Sequence, residues 1–297
     1  MMATALPTLQ RMKTLSTEDG LQLHLRQWAP VSATKGCVLL VHGLGEHVGR
    51  YDHVARYLNS QGWLVLAHDQ RGHGASGGAR GDIPHPLQLV EDLGRVIQLV
   101  RSDVQLAARP LVLLGHSMGG LVAARYVAEG VGANVGQAMP NWFQAVDGLV
   151  LSSPALDPGM NPLQKLALAL LGPIAPHLAV GNGLKPAWIS RDPAVVAAYV
   201  ADPLVHNRVT PTLVRMMADQ GEEVLELCPT WRVPTLLMWA GADRCVAPQG
   251  SAAFAAALPQ TLLQARCFDG LYHEIFNEPE QAQVLAQLGD WLSTRWP

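Results

Sequence analysis

Leu111-Val112-Leu113-Leu114-Gly115-His116-Ser117-Met118-Gly119-Gly120 is the stretch from which the rest of this sequence can be read. Its first four residues are a continuous apolar run, the pattern of a strand buried on both faces. From Met118 to about Glu129 the pattern turns helical, so strand and helix meet at Ser117. A chain that reverses this sharply strains one residue and crowds the backbone two positions before and after it. Gly115 and Gly119 occupy those positions, with no side chain to clash. The hydroxyl is thereby lifted clear of the sheet edge, beside the amides of a helix N-terminus that begins with Met118. A G-x-S-x-G motif in this strand–turn–helix setting marks Ser117 as a nucleophile.

On both sides of that turn, short apolar runs alternate with longer helical patterns. This predicts an α/β fold, a mostly parallel sheet flanked by helices. Gln22 to Trp28 alternates like a half-buried strand near an antiparallel edge, and Gly36 to Val41 and Trp63 to Ala67 read as buried strands. Tyr51 to Gln61 and Pro86 to Arg101 read as helices. Gly148 to Leu151 repeats the strand pattern, and then the rhythm breaks. Between Pro154 and Pro234 there is no clear buried strand, only helical or irregular pieces rich in Pro, Leu and Ala. Strands resume at Pro234 to Trp239 and Leu263 to Phe268, and a helix from Pro279 to Trp291 closes the chain. The expectation is a core of residues 1–154 and 233–297 interrupted by a helical cap insertion, residues 155–232.

Composition limits what such a fold can do. Of 297 residues, 49% are hydrophobic and 15% charged, with 21 basic side chains against 24 acidic. That balance excludes a disordered chain, a coiled coil and collagen. With no block of like charge, nothing points to nucleic acid or to an electrostatically held membrane surface. The low charge and a mean hydropathy of +0.14 leave room for an apolar patch or lid. Cys37, Cys228, Cys245 and Cys267 show no C-x-x-C spacing, so they are expected as small core hydrophobes rather than a disulfide framework or a zinc site. The N-terminus lacks the apolar segment of a signal peptide. Leu163 to Val180 is interrupted by Gly172, Pro173, Pro176 and His177, too broken for a spanning helix. A soluble, cytoplasmic protein is expected.

A serine hydroxyl is a poor nucleophile without a base and an acid to orient that base. On this kind of sheet they follow later, in the order Ser, Asp, His. His273, on a glycine-containing loop after the last strand, is the only histidine beyond His206. Asp243 falls just past the Leu236 to Trp239 strand and is the expected acid, with Asp157 and Asp269 as rivals. A second backbone donor for an oxyanion is expected from the glycine-rich loop His42-Gly43-Leu44-Gly45-Glu46-His47, making Leu44 N–H the partner of Met118 N–H. His42 is expected to bond loop backbone. In His68-Asp69-Gln70-Arg71-Gly72-His73-Gly74-Ala75-Ser76, Asp69 and Arg71 are expected to form a buried ion pair.

The serine turn, the H-G-x-G-E-H loop, the D-x-R-G-H-G-x-S turn, Asp243 and Leu271-Tyr272-His273-Glu274-Ile275-Phe276-Asn277-Glu278 together resemble the α/β-hydrolase superfamily. More narrowly, they are similar to its monoacylglycerol lipase and lysophospholipase-like branch, the serine aminopeptidase S33-like group. The resemblance covers the core from about Leu21 onward and is weak across the insertion. It implies an eight-stranded α/β-hydrolase sheet, catalytic Ser117, Asp243 and His273, and an oxyanion hole at Leu44 and Met118. It also implies ester hydrolysis by acyl transfer, without metal or organic cofactor. Glu46 and Arg50 match the motif H-G-x-G-E-H-x-x-R-Y, where they shape the loop or meet a polar head group.

The substrate signal lies in the insertion. Leu163 to Leu171 is apolar nearly all round, and such a helix is either packed on the core or meets something greasy. In the functional reading Leu166, Leu170, Trp188 and Tyr199 contact an acyl chain, and the cap rests transiently on a membrane surface. The expected substrate is a lipid ester, a monoacylglycerol first, with a lysophospholipid or a general carboxylic ester as alternatives. A proline-iminopeptidase-type aminopeptidase shares this core and would need cap carboxylates such as Glu222, Glu223 and Glu226 to hold an amine. The oligomeric state is not legible.

Overall fold

The computed structural model describes residues 12–31, 34–133 and 139–297; the absence of a signal peptide was read mainly from residues outside these. Eight strands form one sheet: β1 (Thr14–Ser16), β2 (Gln22–Trp28), β3 (Gly36–Val41), β4 (Trp63–His68), β5 (Leu111–His116), β6 (Gly148–Ser152), β9 (Thr235–Ala240) and β10 (Leu263–Phe268). Their order is β1-β2-β4-β3-β5-β6-β9-β10. The β1/β2 and β2/β4 pairs are antiparallel and every other pair is parallel. This is the expected doubly covered parallel sheet with an antiparallel edge. β1 went unread because three residues are too few to show a period.

The two-residue repeat of the central strands sorts their side chains between two cores. Cys37, Leu39 and Val41 of β3 and Leu111 and Leu113 of β5 face α2 (Gln88–Ser102), α3 (Met118–Ala133), α6 (Pro211–Leu227) and α7 (Pro248–Ala257). Val38, Leu40, Val112 and Leu114 face α1 (Asp52–Ser60) and α8 (Gln281–Arg295). Both faces are covered, which is why these strands read as unbroken apolar runs. The sequence did not show α7, whose alanine-rich surface has little contrast between its faces.

Between β6 and β9 the chain adds no strand to the large sheet. It forms α4 (Pro162–Leu171), α5 (Pro193–Ala201) and a pair of two-residue strands, the exposed β7 (Val180–Gly181) and β8 (Arg208–Val209), whose Val209 is buried. α6 behaves differently. Its buried Leu213, Met216, Met217 and Val224 belong to the same apolar cluster as β3 and β5, and Gly221 lies so close to the backbone after β6 that a Cβ would sit 2.2 Å from Leu156 O. The stretch ahead of α6 is mostly exposed, although its Val209 packs into the same apolar cluster. Among the described residues no helix is long and apolar enough to cross a membrane.

Candidate active site

Four loops meet at the C-terminal edge of the sheet, those following β3, β5, β9 and β10, where open α/β sheets bind their ligands. Ser117 sits between β5 and α3 at φ 53°, the left-handed conformation that a residue with a Cβ rarely adopts. Its N–H donates to Ser152 O (3.0 Å), and its carbonyl accepts from Leu121 N (3.1 Å) and Ala155 N (2.9 Å). The turn is closed by contacts that leave no space for side chains. A Cβ on Gly119 would lie 2.3 Å from both Val41 O and His42 O, and one on Gly115 2.5 Å from Gly119 O.

His273 Nε2 lies 2.8 Å from Ser117 Oγ, and His273 Nδ1 lies 2.7 Å from Asp243 Oδ2. Asp243 Oδ1 accepts from the N–H groups of Cys245 (2.7 Å) and Val246 (3.1 Å), which fixes the carboxylate. A proton on Nδ1 is therefore held by Asp243, leaving Nε2 to accept from the serine. Burial pushes the His273 pKa down, but the Asp243 charge and hydrogen bond outweigh it and the net shift is upward. For Asp243, burial pushes upward, and the imidazole with the two backbone donors brings it below the usual carboxylate value. His116, packed 4.8 Å from the His273 ring, is driven down to about 3 by burial and stays neutral. The rivals are elsewhere engaged: Asp157 Oδ1 accepts from Gly159 N, and Asp269 lies against Gly241.

The loop after β3 presses on Ser117, with a Cβ on Gly43 falling 3.1 Å from Ser117 Cβ. Gly43 N–H is spent on Glu46 Oε1 (2.6 Å). Leu44 and Met118 N–H, in contrast, donate to no group of the protein among the described residues. Glu46 also accepts from Tyr51 OH (2.6 Å) and Arg50 (2.7 Å). Burial would raise its pKa, but the Arg50 charge and these donors hold it at about 2. Arg50 reaches on to grip Glu274, next to His273, through both guanidinium nitrogens (2.6 and 2.7 Å). Glu46 and Arg50 thus tie the β3 loop to the histidine loop.

The structure corrects one expectation in the neighbouring turn and bears out another. Asp69 does not pair with Arg71: its carboxylate accepts Val48 N and Ala75 N, and Arg71 pairs with Asp92 and Asp19. His42 does bond loop backbone, with its ring between Gly43 O (2.8 Å) and Gln70 N (2.9 Å).

A cavity of about 560 Å³ opens beside Ser117, lined mostly by apolar groups including Leu44, Leu168, Leu184, Trp188, Val214 and Met217. A second space of about 30 Å³ also borders Ser117, with Glu46, Lys185, Tyr199, His273 and Glu274 in its wall. Trp188 lines the large cavity as expected. Tyr199 belongs instead to the small chamber, its ring stacked 4.7 Å from the Arg50 guanidinium. Leu166 and Leu170 line neither: they are 54% and 61% exposed, and the same helix presents Gln164, Ala167 and Leu168 to the cavity. Cys245, expected in the core, lines both spaces. Asp243, Cys245 and His273 are the one metal-capable trio among the described residues, with donor atoms within 4.8 Å of one another. Two of these donors are already spent on each other.

Comparison with known proteins gives a consistent picture. The family model described as serine aminopeptidase, S33 (Hydrolase_4), matches residues 32–280. A monoacylglycerol lipase of Mycolicibacterium smegmatis is 35% identical over 276 residues, covering 92% of this chain and 93% of its own. The monoglyceride lipase of Rattus norvegicus is 31% identical over 292 residues, covering 96% and 91%. Among solved structures, the monoacylglycerol lipase of Paleococcus ferrophilus superposes with a TM-score of 0.77 at 33% identity, over 92% of this chain and 98% of that one.

Proposed function

The chain belongs to the family described as serine aminopeptidase, S33, and is a carboxylic ester hydrolase of the α/β-hydrolase fold; from that premise we propose that it cleaves monoacylglycerols or similar lipid esters by acyl transfer to Ser117. The observation that carries this is a serine hydroxyl, 2.8 Å from an imidazole nitrogen, opening directly onto a largely apolar cavity of about 560 Å³. That volume lies within the roughly 300–1,000 Å³ of small-molecule sites.

In this mechanism His273 Nε2 takes the Ser117 proton as Oγ attacks the ester carbonyl. The oxyanion that forms is met by Leu44 N–H and Met118 N–H, the two free donors beside the serine. The imidazolium, steadied by Asp243, returns the proton to the departing alcohol, leaving an acyl-Ser117 ester. Water then enters, loses a proton to His273 Nε2, and attacks the acyl carbonyl. The same proton returns to Oγ as the fatty acid leaves. The acyl chain occupies the large cavity. The small polar chamber, with the volume of about one water, receives the hydrolytic water.

The cavity walls favour an ester over a peptide amine. No carboxylate lines the larger cavity among the described residues, Glu223 is paired with Arg125, and Glu46 and Glu274 in the smaller chamber are both committed to Arg50. Leu163, Leu166, Leu170, Ile174 and Leu178 form an exposed apolar surface at the insertion. It would rest on the lipid aggregate that supplies the substrate. The test is one panel of monoacylglycerols, lysophospholipids, p-nitrophenyl esters and a proline anilide. The expected result is cleavage of the esters, fastest for the monoacylglycerols, with the anilide untouched. Faster turnover of the anilide would overturn the assignment.

A further inference from the structure

The loop that carries Leu44 N–H is held from two directions. From the core, Glu46 ties down Gly43 N, and Asp69 accepts from Val48 N (2.9 Å). From the insertion, the turn after α5 reaches across and takes hold of the middle of the loop. His206 N–H donates to Gly45 O (2.8 Å). Gly45, at φ 77°, is packed so closely beneath this turn that a Cβ would fall 2.3 Å from His206 O. Beside this contact, His47 Nε2 lies 2.8 Å from Asp202 Oδ2. Because His47 Nδ1 accepts from Gly49 N (3.1 Å), the ring proton sits on Nε2 and is donated to Asp202. The other Asp202 oxygen accepts Leu204 N (2.9 Å), so the turn's own backbone aims the carboxylate. Both groups of the pair are largely shielded, with side chains 10% and 26% exposed.

We infer that Asp202 is a positioning residue for the reaction: acting through His47, it holds the Leu44 amide at the oxyanion and makes full oxyanion donation conditional on the insertion being seated. The physical reason is the placement of the contacts. Gly45 and His47 lie one and three residues beyond Leu44, and among the described residues the hydrogen bond from the insertion to the Gly45 backbone comes from this turn. Lifting the turn breaks both contacts together, and the amide then drifts while Ser117 and His273 stay in register. A displacement of about 1 Å in such a site costs on the order of 10²-fold in rate, and loss of one oxyanion donor about 10²–10³-fold. This inference rests on the ester-hydrolase reading above.

The test compares Asp202→Ala with Asp202→Asn, the latter keeping an acceptor for the His47 N–H. For each, kcat and KM are measured on a p-nitrophenyl ester, together with affinity for an alkyl trifluoromethyl ketone, which forms a tetrahedral adduct on the serine, and for a fatty acid. The expected result for Asp202→Ala is a kcat lower by about tenfold or more, a KM within about twofold, ketone affinity reduced in step with kcat, and fatty-acid affinity unchanged. Asp202→Asn should recover most of the loss. Unchanged kcat and ketone affinity in Asp202→Ala would overturn the inference. So would equal weakening of ketone and fatty acid, the signature of a turn that merely holds the cavity together. Amide hydrogen exchange supplies an arm independent of turnover: Leu44 to His47 should exchange faster in Asp202→Ala than in the wild type, and unchanged protection there would sink the inference even if the protein cleaved no ester.

Discussion

Ser117 shows how a single residue can be strained for a purpose. Its φ of 53° is tolerated because Ser152, Leu121 and Ala155 fix its backbone, and the strain aims Oγ at His273. Ser117→Ala is expected to abolish ester cleavage while leaving the thermal melting curve close to wild type; retained turnover would show that another group attacks. The acid's role separates by protonation state. Only the neutral imidazole can accept the serine proton, and the His273 pKa is shifted above its ordinary 6.5, with Asp243 outweighing burial. Activity must therefore fall as pH drops through that raised value. Asp243→Asn removes the charge, so the inflection in a kcat/KM–pH profile should move to lower pH. The rate should drop by about 10⁴-fold, the size of loss seen when such an acid is neutralised. An unmoved inflection would mean that Asp243 does not set the base. Asp243 was legible because it follows a strand, whereas Arg50 and Glu274, paired across 224 positions, were not. Nothing local tells an arginine which distant carboxylate it will meet.

At the scale of elements, α3 and α4 were legible to different degrees. α3 begins at a glycine-framed turn whose steric demands are written into neighbouring positions. Gly119→Ala is therefore expected to force β3 and its loop apart and destabilise the protein by about 1–3 kcal/mol, the usual cost of overpacking. A melting temperature equal to wild type would show that the contact at 2.3 Å relaxes freely. α4 is apolar nearly all round, so periodicity gave no means of choosing its inward face. Leu166 and Leu170 were assigned to the cavity and turned out to face solvent, while Leu168, two residues along the helix, lines the cavity. A chain-length series separates the two faces. In the wild type each CH₂ buried should add about 0.8 kcal/mol, about fourfold in kcat/KM until the cavity is full. Leu168→Trp should shift the optimum to shorter chains and Leu166→Trp should not; equal shifts would mean the helix is turned the other way.

Across the whole molecule, the insertion is clamped to the loop after β10 that carries His273. Glu274 N donates to Ile189 O (2.8 Å), Ser190 Oγ to Asn277 O (2.9 Å), and Arg191 pairs with the fully buried Glu278. The exposed leucines beyond this clamp carry their own expectation. Replacing Leu163, Leu166 and Leu170 with glutamate should slow hydrolysis of vesicle-borne monoacylglycerol severalfold while leaving a soluble short-chain p-nitrophenyl ester unaffected. Equal slowing of both would remove the lipid-surface role. The limits of the insertion could be read only approximately. α6 has the composition of the insertion, yet packs against α3 as part of the core. The sequence by itself determined the parallel sheet and its antiparallel edge. It also singled out the serine turn and the order of serine, acid and base along the chain. Buried strands must be apolar on both faces, and the turn at Ser117 leaves no room for a Cβ two residues before or after it, so these constraints act on contiguous residues. The tertiary structure alone decided which face of α4 meets the substrate space, that Arg50 reaches Glu274 across 224 positions, and that Asp202 reaches His47 across 155. Those contacts exist only once folding has brought distant segments together, and neither partner carries a local mark of the other.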